Sequence, residues 1–150
     1  TIFPEARIKQ FMEMRGADGG PWRRLCALPA FWVGLLYDQT ALDAAWDLVK
    51  GMDAQTRDDL RIAASVDGLQ AEAGGVKMMD LARQAVAISH AGLTARGRSG
   101  AGGLVPDETH FLNALQDSLE TGQTPADELL ARYHSDWQGD LTRIYADYSY

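Results

Sequence analysis

The sequence predicts a mostly α-helical chain with one N-terminal β-strand. Three patterns lead there. Residues 6–15 alternate charged and apolar side chains with a period of two, a glycine-rich stretch then breaks the alternation, and from residue 21 to 150 apolar residues recur at helical spacing between prolines, glycines and capping residues. With 150 residues, 46% of them hydrophobic, the chain can bury a sizeable core and is expected to be a single unit: the strand at 6–15 and a helical region at 21–150.

In the strand, period-two geometry puts Arg7, Lys9, Phe11, Glu13 and Arg15 on one side and Ile8, Met12 and Met14 on the other. Gly16-Ala17-Asp18-Gly19-Gly20 allows a sharp exit. Pro21 suits the first turn of a helix over Trp22 to Leu28, and Pro29 is expected to interrupt or kink it before a buried apolar run to Tyr37. Thr40 and Asp43 resemble a capping box for a helix with Leu42, Ala45, Trp46 and Val49 inward, stopped by Gly51. A helix from Thr56 to Val66 should turn Leu60, Ala63 and Ala64 inward and close at Gly68. The longest helix is expected over Val76 to Arg96, with Gly92 weakening its last turns. Shorter helices follow over Glu108 to Leu119 and Pro125 to Tyr133, the second opened by Thr124 as N-cap, Pro125 at N1 and Asp127 at N3. The aromatic tail from Trp137 to Tyr150 should pack down on the fold.

A net charge of −7, with no basic block interleaved with aromatics, argues against a nucleic-acid partner. The apolar stretch Ala27 to Tyr37 is about half of the roughly 20 residues a membrane span needs, so no membrane partner is expected. A single cysteine, Cys26, suits a reducing compartment, and the cytosol is the expected location, with a plastid as the alternative for a plant protein and the composition favouring a bacterial cytosolic one. Thr1-Ile2-Phe3-Pro4 has neither an initiator Met nor a signal peptide, and the chain reads as a fragment.

Chemistry centres on Glu13 and Arg15, about 7 Å apart on one side of the strand by its rise. A carboxylate supplies a hard oxygen for Mg²⁺, and a guanidinium forks onto phosphate and offsets charge that builds during transfer. Arg7 and Lys9 extend the cationic row; a solvated, salt-bridged sheet face is the alternative. The glycine stretch from Arg98 to Gly103 lacks the Gly-Lys-Ser/Thr ending of a phosphate loop. His90, His110 and His134 are too far apart in sequence for a metal-ligand spacing, Cys26 reads as a small buried hydrophobe, and Trp22, Trp32, Trp46 and the methionines read as core.

Phe3-Pro4-Glu5-Ala6-Arg7 and the run from Met12-Glu13-Met14-Arg15-Gly16-Ala17-Asp18-Gly19-Gly20-Pro21-Trp22-Arg23-Arg24 through Asp38 resemble the C-terminal portion of plant-type glutamate–cysteine ligases of plants and proteobacteria. Looser likeness continues through Thr124 to Leu130 and Tyr133 to Trp137, while Met52 to Pro106 matches mainly in helical character. The resemblance implies a larger α+β, glutamine synthetase-like sheet to which the strand belongs, and an ATP- and Mg²⁺-dependent ligase that makes γ-glutamylcysteine for glutathione synthesis by way of γ-glutamyl phosphate. It implies Glu13 as a metal ligand, Arg15 as a catalytic contact to ATP or acyl phosphate, and Arg7 as a further ATP contact; Asp18 and Arg23 would stand behind them, or be a turn acid and a helix-surface arginine. The implied partners are glutamate, cysteine, ATP and the rest of the ligase or a dimer mate covering the strand edges. Alone, the fragment should be inactive. A ligase joining glutamate to another amine, or a non-catalytic helical interaction module, are the alternative readings.

Overall fold

A computed structural model of the chain describes residues 5–17, 19–99 and 108–148. The alternating segment is extended, but as a hairpin and not as one strand. Strand β1, Ala6–Ile8, runs antiparallel to β2, Met12–Met14, with Ala6 opposite Met14, Arg7 opposite Glu13 and Ile8 opposite Met12. The Lys9 N–H donates to the Phe11 carbonyl and the Arg15 N–H to the Glu5 carbonyl, both at 2.8 Å. Lys9-Gln10-Phe11 contains no glycine, proline or asparagine to announce a reversal. Because the turn centres on one residue, odd-numbered side chains keep the same face in both strands, and the alternation reads through the turn without a break in phase.

Helix α1, Trp22–Leu36, begins after Pro21 and continues through Pro29, where an interruption or a kink is expected, without being interrupted. Pro29 lacks the N–H that would bond the Leu25 carbonyl. The helix nevertheless buries Ala27, Ala30, Gly34 and Leu35, and its largest packing partner is α4, Met78–Ser99, so tertiary burial outweighs the lost bond. Helix α2, Gln39–Val49, is capped two residues earlier than the Thr40–Asp43 pattern suggests: Asp38 Oδ1 accepts from the Ala41 N–H at 2.9 Å. Helix α3, Ala54–Asp67, is capped by Asp53, which accepts from the Thr56 N–H at 2.7 Å, and it ends at Gly68 with φ 54°. A second small hairpin, β3 (Glu72–Ala73) with β4 (Val76–Lys77), corrects the expectation of a helical region alone over 21–150. It turns on Gly74 and Gly75, whose φ values of 57° and 78° fit a tight primed turn.

The stretch expected as one helix from Glu108 is a 3₁₀ turn, Glu108–Leu112, followed by α5, Asn113–Thr121. Helix α6, Pro125–His134, carries the expected cap: Thr124 Oγ1 accepts from the Asp127 N–H at 3.2 Å, and Asp127 Oδ2 accepts from the Thr124 N–H at 2.7 Å. A short α7, Arg143–Asp147, lies in the tail. Of the Arg98–Gly103 stretch, the first two residues complete α4 and the rest lies outside the described residues.

The core gathers Ala30, Leu93 and Leu112, with Phe31, Val33 and Leu115 packed against them. Where α1 crosses α4 the contact is made by small residues. A Cβ on Gly92 would collide with the Gly34 carbonyl and the Ala41 side chain, one on Gly34 would collide with the Ser89 backbone, and Ser89 Oγ donates to the Phe31 carbonyl at 2.9 Å. Gly92 is therefore a packing position, not a weakness in the helix. Trp22 and Trp46, expected in the core, are 71% and 64% exposed, whereas Trp137 is buried. No single described helix is long and apolar enough to cross a membrane.

The tail folds back as expected. Trp137 Nε1 donates to Asp147 at 2.8 Å, and the Tyr148 hydroxyl donates to Glu128 Oε1 at 3.0 Å, while Arg24 NH2 of α1 holds Glu128 Oε2 at 2.7 Å. Burial pushes the Glu128 carboxyl up, but the Tyr148 hydroxyl and the Arg24 and Arg132 cations together outweigh it and bring it below its ordinary value. Burial, and then the Glu128 carboxylate, pushes the Tyr148 phenol up. A depressed carboxyl stabilises the fold above its unfolded value of about 4.3 and loses that contribution as pH falls through the folded value. The raised phenol contributes below about pH 10 and is lost as pH rises through its folded value. Urea unfolding of parent and Glu128→Gln should thus differ by a constant amount near neutral pH, and the difference should shrink below about pH 4. A difference that does not change with pH would refute the coupling.

Candidate active-site hairpin

The register of the first hairpin sorts its side chains into two faces. Ala6, Ile8, Met12 and Met14 form one, with Ile8 82% and Met12 56% exposed. The other carries charge: Arg7 stands opposite Glu13, and Glu5 lies beside Arg15 through the backbone bond that extends the ladder. Glu13 and Arg15 thus keep the common side that the alternation predicts. Glu5 precedes the alternating run that starts at Arg7, yet its odd position places it on this face.

Arg7 is not a free cation. Its Nε donates to Glu13 Oε2 at 2.7 Å and its NH2 lies 2.6 Å from the same oxygen. This charge-assisted pair, helped by the nearby Lys9 and Arg15 charges and opposed by burial, holds the Glu13 carboxyl below its ordinary value. Lys9 sits over the Phe11 ring, 5.9 Å from its centroid. Among the described residues Arg15 has neither an ion pair nor a side-chain hydrogen bond, which leaves its fork open to an anion.

The remaining candidates stand apart. Arg23 pairs with Asp117 at 2.8 Å on the exposed surface, which favours the helix-surface reading, and Asp18 lies outside the described residues. Cys26 is a half-buried free thiol in α1. No group of three or more His, Cys, Asp or Glu side chains among the described residues is placed to hold a metal ion. Beyond the hairpin, Ala17 and Gly19 border a mostly apolar cavity of about 620 Å³ between the helices, lined by Leu28 and Phe31 of α1, Val86 of α4 and Leu115 of α5.

Comparison with known proteins accounts for the whole chain. Residues 1–147 match the family described as glutamate-cysteine ligase family 2 (GCS2). The chain is 43% identical over 150 residues to the chloroplastic glutamate–cysteine ligases of Solanum lycopersicum and Arabidopsis thaliana, and 41% identical to that of Nicotiana tabacum. All of the chain is covered in each case, but only 27% of each relative, so the chain spans about a quarter of the length of the proteins it matches. The relatives are named as chloroplastic, which lends no support to the expectation of a bacterial cytosol. Matched from end to end, the chain belongs to the glutamate–cysteine ligase family.

Proposed function

We propose that this chain supplies one wall of the active site of a ligase that condenses glutamate with cysteine at the expense of ATP. In this reading a γ-carboxylate oxygen of glutamate attacks the γ-phosphorus of ATP and ADP leaves. The cysteine amine then attacks the acyl carbon, phosphate leaves with the linking oxygen, and the amine gives up a proton to form the γ-glutamyl amide. The product is the thiol dipeptide from which glutathione is built. The observation that carries the proposal is the charged hairpin face, Glu13 with an open Arg15, within a chain of this family.

The donor set fits a nucleotide-bound Mg²⁺ better than a cage made by the protein alone. Glu13 lies among three cationic side chains, with Glu5 further along the same face, and Mg²⁺ characteristically takes one or two carboxylates together with substrate phosphates and water. Glu13 would hold the ion, which when bound neutralises phosphate charge. Arg15 would fork onto the transferring phosphoryl group and stabilise the charge that gathers there. With two carboxylates and one open arginine on this face, the chain by itself would be inactive. Ligation to a different amine stays the second reading, because no described residue is assigned to the acceptor.

The test is an assay of the full-length protein for ADP and γ-glutamylcysteine, with cysteine set against other amines. Arg15→Lys should lower turnover by about 10²-fold, since an ammonium cannot bond two oxygens in a fork. Turnover within about twofold of the parent would reduce Arg15 to a surface charge.

A further inference from the structure

The geometry points to Arg7 as a positioning residue that acts through Glu13, in place of the direct ATP contact that the family resemblance implies. The inference rests on the reading of Glu13 as the metal ligand. A guanidinium facing a carboxylate in the common forked arrangement engages both oxygens. Here Nε and NH2 both close on Oε2, at 2.7 Å and 2.6 Å, and no hydrogen bond from a described residue reaches Oε1. Arg7 thus ties down one oxygen and leaves the other as the only free donor of Glu13.

The link does not depend on a chance meeting of long side chains. Backbone register sets Arg7 directly opposite Glu13, so the rotamer freedom that a glutamate would otherwise lose on binding a cation is already restricted. The same two bonds turn the guanidinium toward its partner strand. Glu5 stands beside Arg15, but among the described residues no side-chain bond joins them, so the two arginines divide the work: Arg15 meets the anion and Arg7 aims the carboxylate. Groups of this kind behind a metal ligand are worth about 10–100-fold in affinity.

A mutant cycle in the full-length protein tests the assignment. Arg7→Ala, Glu13→Gln and the double variant are compared by electron paramagnetic resonance of Mn²⁺ titrated in the presence of a non-hydrolysable ATP analogue. Affinity for the analogue without metal is measured alongside. Arg7→Ala should weaken Mn²⁺ binding about tenfold or more when Glu13 is present and have no effect once Glu13 is glutamine. Arg7→Lys should recover part of the loss, because one ammonium bond can still hold Oε2. Metal-free analogue affinity should stay within about twofold. Equal losses in both backgrounds, or weakened analogue binding with Mn²⁺ affinity intact, overturn the assignment in favour of general loosening of the hairpin or a phosphate contact. If Glu13→Gln itself leaves Mn²⁺ binding unchanged, the premise that Glu13 is a metal ligand fails first and the inference falls with it.

Discussion

Glu13→Gln in the full-length protein should lower the rate of ADP release by about 10²–10³-fold while the protein still folds. The substitution keeps the size and shape of the side chain while removing its charge and exchanging one acceptor oxygen for an NH₂ donor. It therefore separates a role in chemistry from a role in packing. Because Glu13 is a half-exposed side chain on a small hairpin outside the buried core, its loss should hardly move the unfolding transition. Initial-rate assays with saturating glutamate, cysteine and Mg²⁺ measure the first effect, and thermal unfolding the second. Turnover within about threefold of the parent would remove Glu13 from the mechanism.

The largest effect on stability is expected at Gly92→Ala. In most helices this exchange stabilises by up to about 1 kcal/mol, because alanine has less backbone freedom to lose. At Gly92 the added methyl meets the carbonyl of Gly34 and the side chain of Ala41, and backbone of a packed helix cannot rotate away. The clash should outweigh the propensity gain and cost about 3 kcal/mol, with a melting point lower by several degrees. Gly97→Ala, later in the same helix, is the control: among the described residues nothing lies within 4 Å of its added Cβ, so it should be neutral or stabilising. If both variants melt alike, the close crossing of α1 and α4 is wrong.

Local rules were easiest to read where one residue's chemistry decides the outcome. The cap at Thr124 and Asp127 and the stop at Gly68 are set by hydrogen bonds and dihedral freedom within a few positions. Pro29 shows the limit of such rules. Its local cost is real, but burial of α1 against α4 exceeds it, and that burial is a property of two segments more than forty positions apart in the chain. Trp46 errs the other way, because helical spacing reveals that α2 has an apolar side and not whether anything covers it. At the candidate site, parity fixed which charges share a face, whereas the reversal at Gln10 left no mark in composition or phase. Since that reversal is what brings Arg7 against Glu13, the open arginine and the engaged one could not be told apart from sequence.

The hairpin's underside has a practical consequence. Ile8 and Met12 stand out from the fold, and each of the two strands is bonded on one edge only among the described residues. A greasy surface bordered by open peptide edges is a template for like segments to stack upon. Produced by itself at high concentration, the chain would tend to adhere to its own copies, and the element that carries its chemistry would be the first to be hidden.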